Sequence, residues 1–276
     1  MPLKLMYVAN DPEVIMIAQK YGVDRIWIDL EVEGKEERQK NMNTLKSKHY
    51  IDDVKKASSL VNTSELLVRI NPWSQKSKEE VEQVIEAGAQ IIMLPMWKTV
   101  KDVQEFLAVV DGRVKTMLLL ETKEAEACID EVLKLGGIDE IHIGLNDLHL
   151  SYGLTFMFEP LVNGTVERLC NKIRNAGIMY GFGGITKIGE GLLPAEKVIM
   201  EHYRLGSSMA ILSRGFCIPE EFENSKKIEE HFRINMKALR EFESYAASAS
   251  DEAYMENKEE VGHCIKLIVE EKRRRK

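Results

Sequence analysis

At 276 residues, with 44% hydrophobic and 30% charged side chains, the chain can bury a sizeable core and remain in solution. Its net charge of −7 argues against a general nucleic-acid binder, and no apolar stretch approaches the ~18 residues of a membrane span. Met1-Pro2-Leu3-Lys4 opens no signal segment, and Cys128, Cys170, Cys217 and Cys264 are scattered without metal spacing, so a reduced, cytoplasmic protein is expected.

Short apolar runs then alternate with amphipathic stretches. Strands are predicted at Lys4–Val8, Arg25–Asp29, Glu65–Ile70, Gln90–Leu94, Val114–Leu120, Ile138–Ile143, Ile178–Phe182 and Leu205–Leu212. Helical patterns fall between them at Asp11–Tyr21, Tyr50–Val61, Ser77–Ala87, Val100–Val109, Lys123–Leu135, Val162–Ala176 and Pro194–His202. Gly22, Gly88, Gly136 and Gly177 stand where helix C-caps are expected, just before the next strand. Strand and helix alternating eight times predict a (β/α)8 TIM barrel over residues 1–218. A doubly wound sheet is the competitor, but no GxGxxG follows the first strand.

Beyond the eighth strand, Pro219 to Ala249 reads as a long charged helix whose stripe is Ile228, Phe232, Met236, Leu239 and Phe242. Residues 219–276 are expected to form a C-terminal helical arm and tail, packed on its own barrel or on a neighbouring subunit. Ala246 to Asp251 reads as a flexible joint, Glu252 to Lys276 as a short helix or frayed tail, and Lys272 to Lys276 as a solvated basic end.

The strand ends carry the chemistry. In a parallel α/β protein, ligands bind at the carboxyl ends of strands. Glu121 closes the fifth apolar run, and Asp147 follows the sixth through Gly144-Leu145-Asn146. Two hard oxygen donors at one mouth suggest Mg²⁺ or Mn²⁺, against the plainer reading of helix N-terminal acids complementing the dipole. Arg69, ending an apolar strand, needs an anionic partner: Asp29, Glu31 or a substrate oxygen. Free amides at the Gly144–Asp147 turn would take a substrate carboxylate. The Gly181-Phe182-Gly183-Gly184 run, with Ser213 and Arg214 nearby, reads as a turn able to cradle a phosphate. Neither HxH nor HExxH occurs among the six histidines, and Lys98, Lys123 and Lys187 fall in loops rather than strand interiors, where a Schiff-base lysine would stand.

Five segments in order at successive strand ends resemble the HpcH/HpaI aldolase and citrate lyase β-subunit family: Ile28-Asp29-Leu30-Glu31, Val68-Arg69-Ile70-Asn71-Pro72, Met93-Leu94-Pro95-Met96, Leu120-Glu121-Thr122-Lys123-Glu124-Ala125 and Ile143-Gly144-Leu145-Asn146-Asp147-Leu148. Ser151-Tyr152-Gly153 extends the likeness, which covers residues 3 to 215. The resemblance implies that Glu121 and Asp147 bind the cation and that Arg69 stabilises an enolate oxygen. It also implies that Pro95, Gly144, Asn146 and Asp147 line the oxoacid. The chain departs from the pattern in three places. Val32 follows Glu31 where the aldolase branch has its proton-transfer histidine, Leu119 replaces a glutamine, and Met96 replaces the lysine frequent in the lyase branch. Glu31-Val32-Glu33-Gly34-Lys35 partly resembles the lyase branch, and Asp29, Glu31 or Glu33 would have to supply the missing base.

The expected function is a metal-dependent carbon–carbon lyase or aldolase acting through the enolate of pyruvate or a related 2-oxoacid or acyl compound, in a homo-oligomer (trimer or hexamer). The alternatives are a phosphosugar barrel using the strand-seven glycines, and a barrel kept as an assembly module without turnover.

Overall fold

In the computed structural model of the protein, residues 1–33 and 49–275 are described. The expected Gly34-Lys35 end of the strand-two loop lies outside them. Eight parallel strands close into a barrel in sequence order: β1 Lys4–Val8, β2 Arg25–Asp29, β3 Glu65–Arg69, β4 Ile91–Leu94, β5 Lys115–Leu120, β6 Glu140–Ile143, β7 Met179–Ile185 and β8 Met209–Leu212. Closure is made by β1 on β8, with Leu5 opposite Ala210. The described helices, numbered in chain order, are α1 Pro12–Lys20, α2 Ile51–Leu60, α3 Ser77–Glu86, α4 Val100–Val110, α5 Lys123–Ala127, α6 Ile129–Val132, α7 Leu145–Ser151, α8 Glu159–Val162, α9 Thr165–Asn175, α10 Ala195–Arg204, α11 Ser225–Ala247 and α12 Asp251–Arg274. No described helix is long and apolar enough to cross a membrane.

The period-2 alternation of each strand sorts its side chains into two cores. Ile26, Ile28, Leu66, Val68, Leu118, Leu120, Ile141 and Ile143 face outward and pack under the helices. Met6, Trp27, Leu67, Ile91, Met93, Met117, Leu119 and Met209 face inward and fill the barrel with hydrocarbon. Each such buried side chain contributes roughly 1.5–3 kcal/mol relative to exposure. The barrel is therefore solid below its mouth, and charged side chains gather at its two ends.

Four expectations need correction. The glycine run after residue 180 is not a turn: β7 continues through it to Ile185, with a register shift between Gly181 and Gly184 against β8. A Cβ at Gly181 would stand 2.1 Å from the Met209 carbonyl oxygen, so β8 can pair there only against a residue without a side chain. The expected Lys123–Leu135 helix breaks at Cys128 into α5 and α6. The expected short helix or frayed tail is instead the 24-residue α12, capped by Ser250, whose hydroxyl accepts from the Ala253 N–H. Ala246 and Ala247 belong to α11 rather than to a joint.

The apolar stripe of α11 is buried against its own barrel. Phe232 stacks edge-on to Tyr7 of β1 at 5.3 Å and to Phe216 at 5.7 Å. Glu243 accepts from the Leu3 N–H at 2.8 Å, and Arg240 donates to the Leu3 carbonyl at 2.9 Å, so this helix clamps the start of β1.

Candidate active site

The carboxyl ends of β2, β3, β5 and β6 bring the sequence-predicted residues to one mouth. Alternation decides which of them face inward: Trp27 and Asp29 on β2, Leu67 and Arg69 on β3, and Leu119 followed by Glu121 after β5. Arg69 lies opposite Asp29 in the β2–β3 register. Its Nε and Nη2 donate to the two Asp29 carboxylate oxygens at 2.8 Å each, a planar two-point pair, and Nη2 also stands 3.1 Å from Glu31 Oε2. The guanidinium carbon lies 5.0 Å from the Trp27 ring centre, so the indole face supports the cation from below. Burial works against the Arg69 charge, but Asp29, Glu31 and Glu121 outweigh it and raise its pKa. Nη1 is engaged by none of the described residues.

Glu121 is buried, 3% exposed, and Oε1 accepts the Met96 N–H at 3.1 Å. Met96 reaches it from a left-handed backbone, φ +52°, which costs a non-glycine residue on the order of 1 kcal/mol or more. Gly144 makes the room: a Cβ there would stand 2.8 Å from Glu121 Oε2 and 2.9 Å from its Cβ. Burial, then the Asp147 charge, pushes the Glu121 pKa well above the carboxylate range, with Arg69 opposing. Asp147 is half-buried in the first turn of α7, beside Asn146. Gly144 gives that helix no side-chain cap. Pro95, buried at the end of β4, leads into Met96.

The fit to a divalent cation follows from these groups. Two carboxylates raise each other's energy at the mouth, and a missing side chain leaves one of them its space. Among the described residues no group of three or more His, Cys, Asp or Glu is gathered to hold a metal. The protein would thus offer Glu121 and Asp147 only, with water and substrate completing the shell, which Mg²⁺ accepts.

Several supports were not anticipated. Trp27 is legible in retrospect as the inward neighbour of Asp29, two positions before it. Asn71 Oδ1 accepts the Val32 and Glu33 N–H groups at 2.9 and 3.1 Å, and Asn71 Nδ2 donates to Glu80 Oε1 at 2.8 Å, which fixes the chain after β2. His49 Nδ1 accepts the Asp29 N–H at 3.0 Å. Twenty residues separate those two, and no local pattern links them. His142 lies inside the barrel wall, its Nε2 3.0 Å from the Gly183 carbonyl, and burial pushes its pKa down to about 4. His149 is buried on α7. Lys98 and Lys123 are exposed, and Lys187 pairs with Glu190 at 2.9 Å.

The HpcH/HpaI aldolase/citrate lyase family model matches residues 4–181. 2-Keto-3-deoxy-L-rhamnonate aldolase of Escherichia coli (strain K12) is 26% identical over 137 residues, covering 38% of this chain and 51% of that enzyme. The chain spans about half the length of the curated relatives it matches. Among solved structures, an HpcH/HpaI aldolase/citrate lyase family protein from Burkholderia cenocepacia J2315 superposes with TM-score 0.62 at 15% identity, covering 87% of this chain and 94% of that one. The citrate lyase β subunit of M. tuberculosis, complexed with oxaloacetate and magnesium, superposes with TM-score 0.57 at 15% identity over 84% of this chain and 97% of that one. At such identity these likenesses speak for the fold.

Proposed function

From a chain that belongs to the HpcH/HpaI aldolase/citrate lyase family, we infer a divalent-metal-dependent carbon–carbon lyase or aldolase acting on a 2-oxoacid. The observation that carries the reading is the Glu121–Asp147 pair beside Arg69: two mutually repelling carboxylates at a barrel mouth, next to a guanidinium with one nitrogen to spare. Bound between those carboxylates, Mg²⁺ or Mn²⁺ would supply Lewis-acid polarisation of the oxoacid.

The remaining roles fall to the chain itself. Asp29 and Glu31 fix Arg69 in place and keep it charged, so its free edge meets an oxygen that gains negative charge as the bond beside the carbonyl breaks. Because both carboxylates face Arg69, we assign them to holding the guanidinium rather than to moving a proton. First-turn amides at Asn146 and Asp147 would take the substrate carboxylate, and Pro95 would bound the pocket through the Met96 turn. Met96 and Gly144 hold Glu121 in position. The phosphate-cradle reading loses its basis, since the glycines it relied on lie in β7.

The test is proton exchange. With Mn²⁺ or Mg²⁺ present, the protein should move deuterium from heavy water into the C3 position of pyruvate or another short 2-oxoacid, as read by NMR, and chelation should stop it. Undiminished exchange under chelation, or none with any 2-oxoacid, overturns the reading.

A further inference from the structure

The outward face of α12 is charged in halves. Glu252, Glu259, Lys266 and Arg273 follow one another at seven-residue steps, two helical turns apart, and so form one stripe down the helix. All four are exposed, and their side chains meet no hydrogen-bond or ion-pair partner among the described residues. Neighbouring charges turn inward or pair along the helix. Lys258 reaches Glu167 of α9 at 3.0 Å, and Glu260 is matched by Lys197 of α10. Glu270 pairs with Arg274 at 4.0 Å, and Glu271 with Arg275. Asp251 and Glu256 add to the acidic half of the helix.

Apolar surface lies along the same stripe. Met255, 50% exposed, stands between Glu252 and Glu259. Beside Lys266 and Arg273 a groove of about 460 Å³ runs between α12 and α8, lined also by Leu154, Val162, Ile265 and Val269. Gly262 sits midway between the two halves. A Cβ there would meet nothing within 4 Å, so no contact inside the single chain calls for glycine in mid-helix, where it weakens the helix. The missing side chain does let a second helix approach closely at that point.

We propose that α12 is the docking face for a second copy of this chain, packed antiparallel about a twofold axis between Gly262 and His263. That orientation sets Glu252 against Arg273 and Glu259 against Lys266 across the axis, each pair repeated by symmetry. It also brings Met255 over the groove beside Lys266 and Arg273. A parallel pair in register would set like charge on like. An anionic partner such as nucleic acid would suit the basic half and be repelled by the acidic one, whereas a stripe carrying both signs in mirror order suits itself. Exposed ion pairs add little affinity. Burial of Met255 in the groove supplies the attraction, and the charges select partner and direction.

The test is sedimentation of the full-length protein at ~50 µM in about 50 mM and about 500 mM salt, where the unmodified chain should associate in the first buffer and markedly less in the second. Glu252→Lys with Glu259→Lys makes the stripe wholly basic, and Lys266→Glu with Arg273→Glu makes it wholly acidic. Each double variant should self-associate at least about tenfold more weakly at an unchanged melting temperature, and an equimolar mixture of the two should recombine into a one-to-one complex. An unmodified protein that stays monomeric at low salt overturns the proposal. So does an assembly of any size that either double variant leaves intact, and so do two dissociated variants that fail to recombine.

Discussion

The two ends of the barrel are built from the same ingredients and reach opposite electrostatic outcomes. At the amino-terminal end Arg25, 0% exposed, donates from Nη1 and Nη2 to the two Glu140 oxygens at 2.6 and 2.5 Å. Its Nε donates to Glu65 at 3.2 Å, and Lys115 pairs with the other Glu65 oxygen. Two cations meet two carboxylates there. Burial alone would raise the Glu65 pKa, yet Lys115 and Arg25 bring it below the usual range. At the carboxyl end Arg69 is met by Asp29 and Glu31, and Glu121 and Asp147 remain beyond them. Glu121 is accordingly pushed up where Glu65 is pulled down. A buried ion pair by itself says little about function. An end where, among the described residues, four carboxylates gather around Arg69 is different, because there one of them, Glu121, is held at a raised pKa rather than a lowered one.

That contrast can be broken from either side. The largest effect is expected at the mouth: Glu121→Gln and Asp147→Asn should each lower metal-dependent exchange about a thousandfold, the several kcal/mol that a Lewis acid supplies, with thermal unfolding still cooperative. At the other end Arg25→Ala should leave Glu140 and Glu65 uncompensated and cost about 3–5 kcal/mol in urea unfolding, while metal affinity of the folded fraction stays the same. Gly144→Ala should drive a methyl group into Glu121 and weaken Mn²⁺ binding about 10- to 100-fold by calorimetry.

The pH dependence sharpens the difference further. A carboxylate whose pKa is raised on folding binds more protons in the native state, so its contribution to stability falls as pH rises. Metal-free protein should therefore lose stability from the ordinary glutamate value of 4.5 upward, through the raised Glu121 pKa. Glu121→Gln should flatten that slope, and so should Mn²⁺. Glu65, pulled the other way, gives stability that is present above 4.5 and lost as pH falls through its lowered value. The smallest effect belongs to Met96→Gly. It relieves a left-handed backbone, about 1 kcal/mol, and should raise the melting temperature slightly with Mn²⁺ affinity retained, since the N–H that meets Glu121 survives.

Much of the site was legible because a parallel barrel converts linear spacing into position. A residue that ends an apolar run ends a strand, and strand ends share one rim. That places Asp29, Arg69, Glu121 and Asp147 at the mouth from the sequence alone, and β1 and β2 have the expected bounds. Legibility failed where composition and sterics disagree. Gly181 to Gly184 has the makeup of a turn but lies in a sheet, where at Gly181 β8 approaches too closely for a side chain. The expected eighth strand began at Leu205, but Leu205 caps α10 and Gly206 turns left-handed, φ +66°, so pairing starts only at Met209. The last helix was underestimated because its buried face, Asn257, Val261, Ile265 and Val269, is thin and partly polar. Arg25 and Glu140 stand 115 residues apart, and neither lies in a pattern that announces the other.

The grip of α11 on the first strand has a temporal meaning. Glu243 and Arg240 reach back some 240 residues to fasten Leu3, at the seam where β1 meets β8. On a ribosome β1 must therefore wait, unlatched along one edge, until β8 and α11, more than two hundred residues further on, have emerged. The rate of synthesis between β1 and α11 thus sets how long that edge stays open to misassembly.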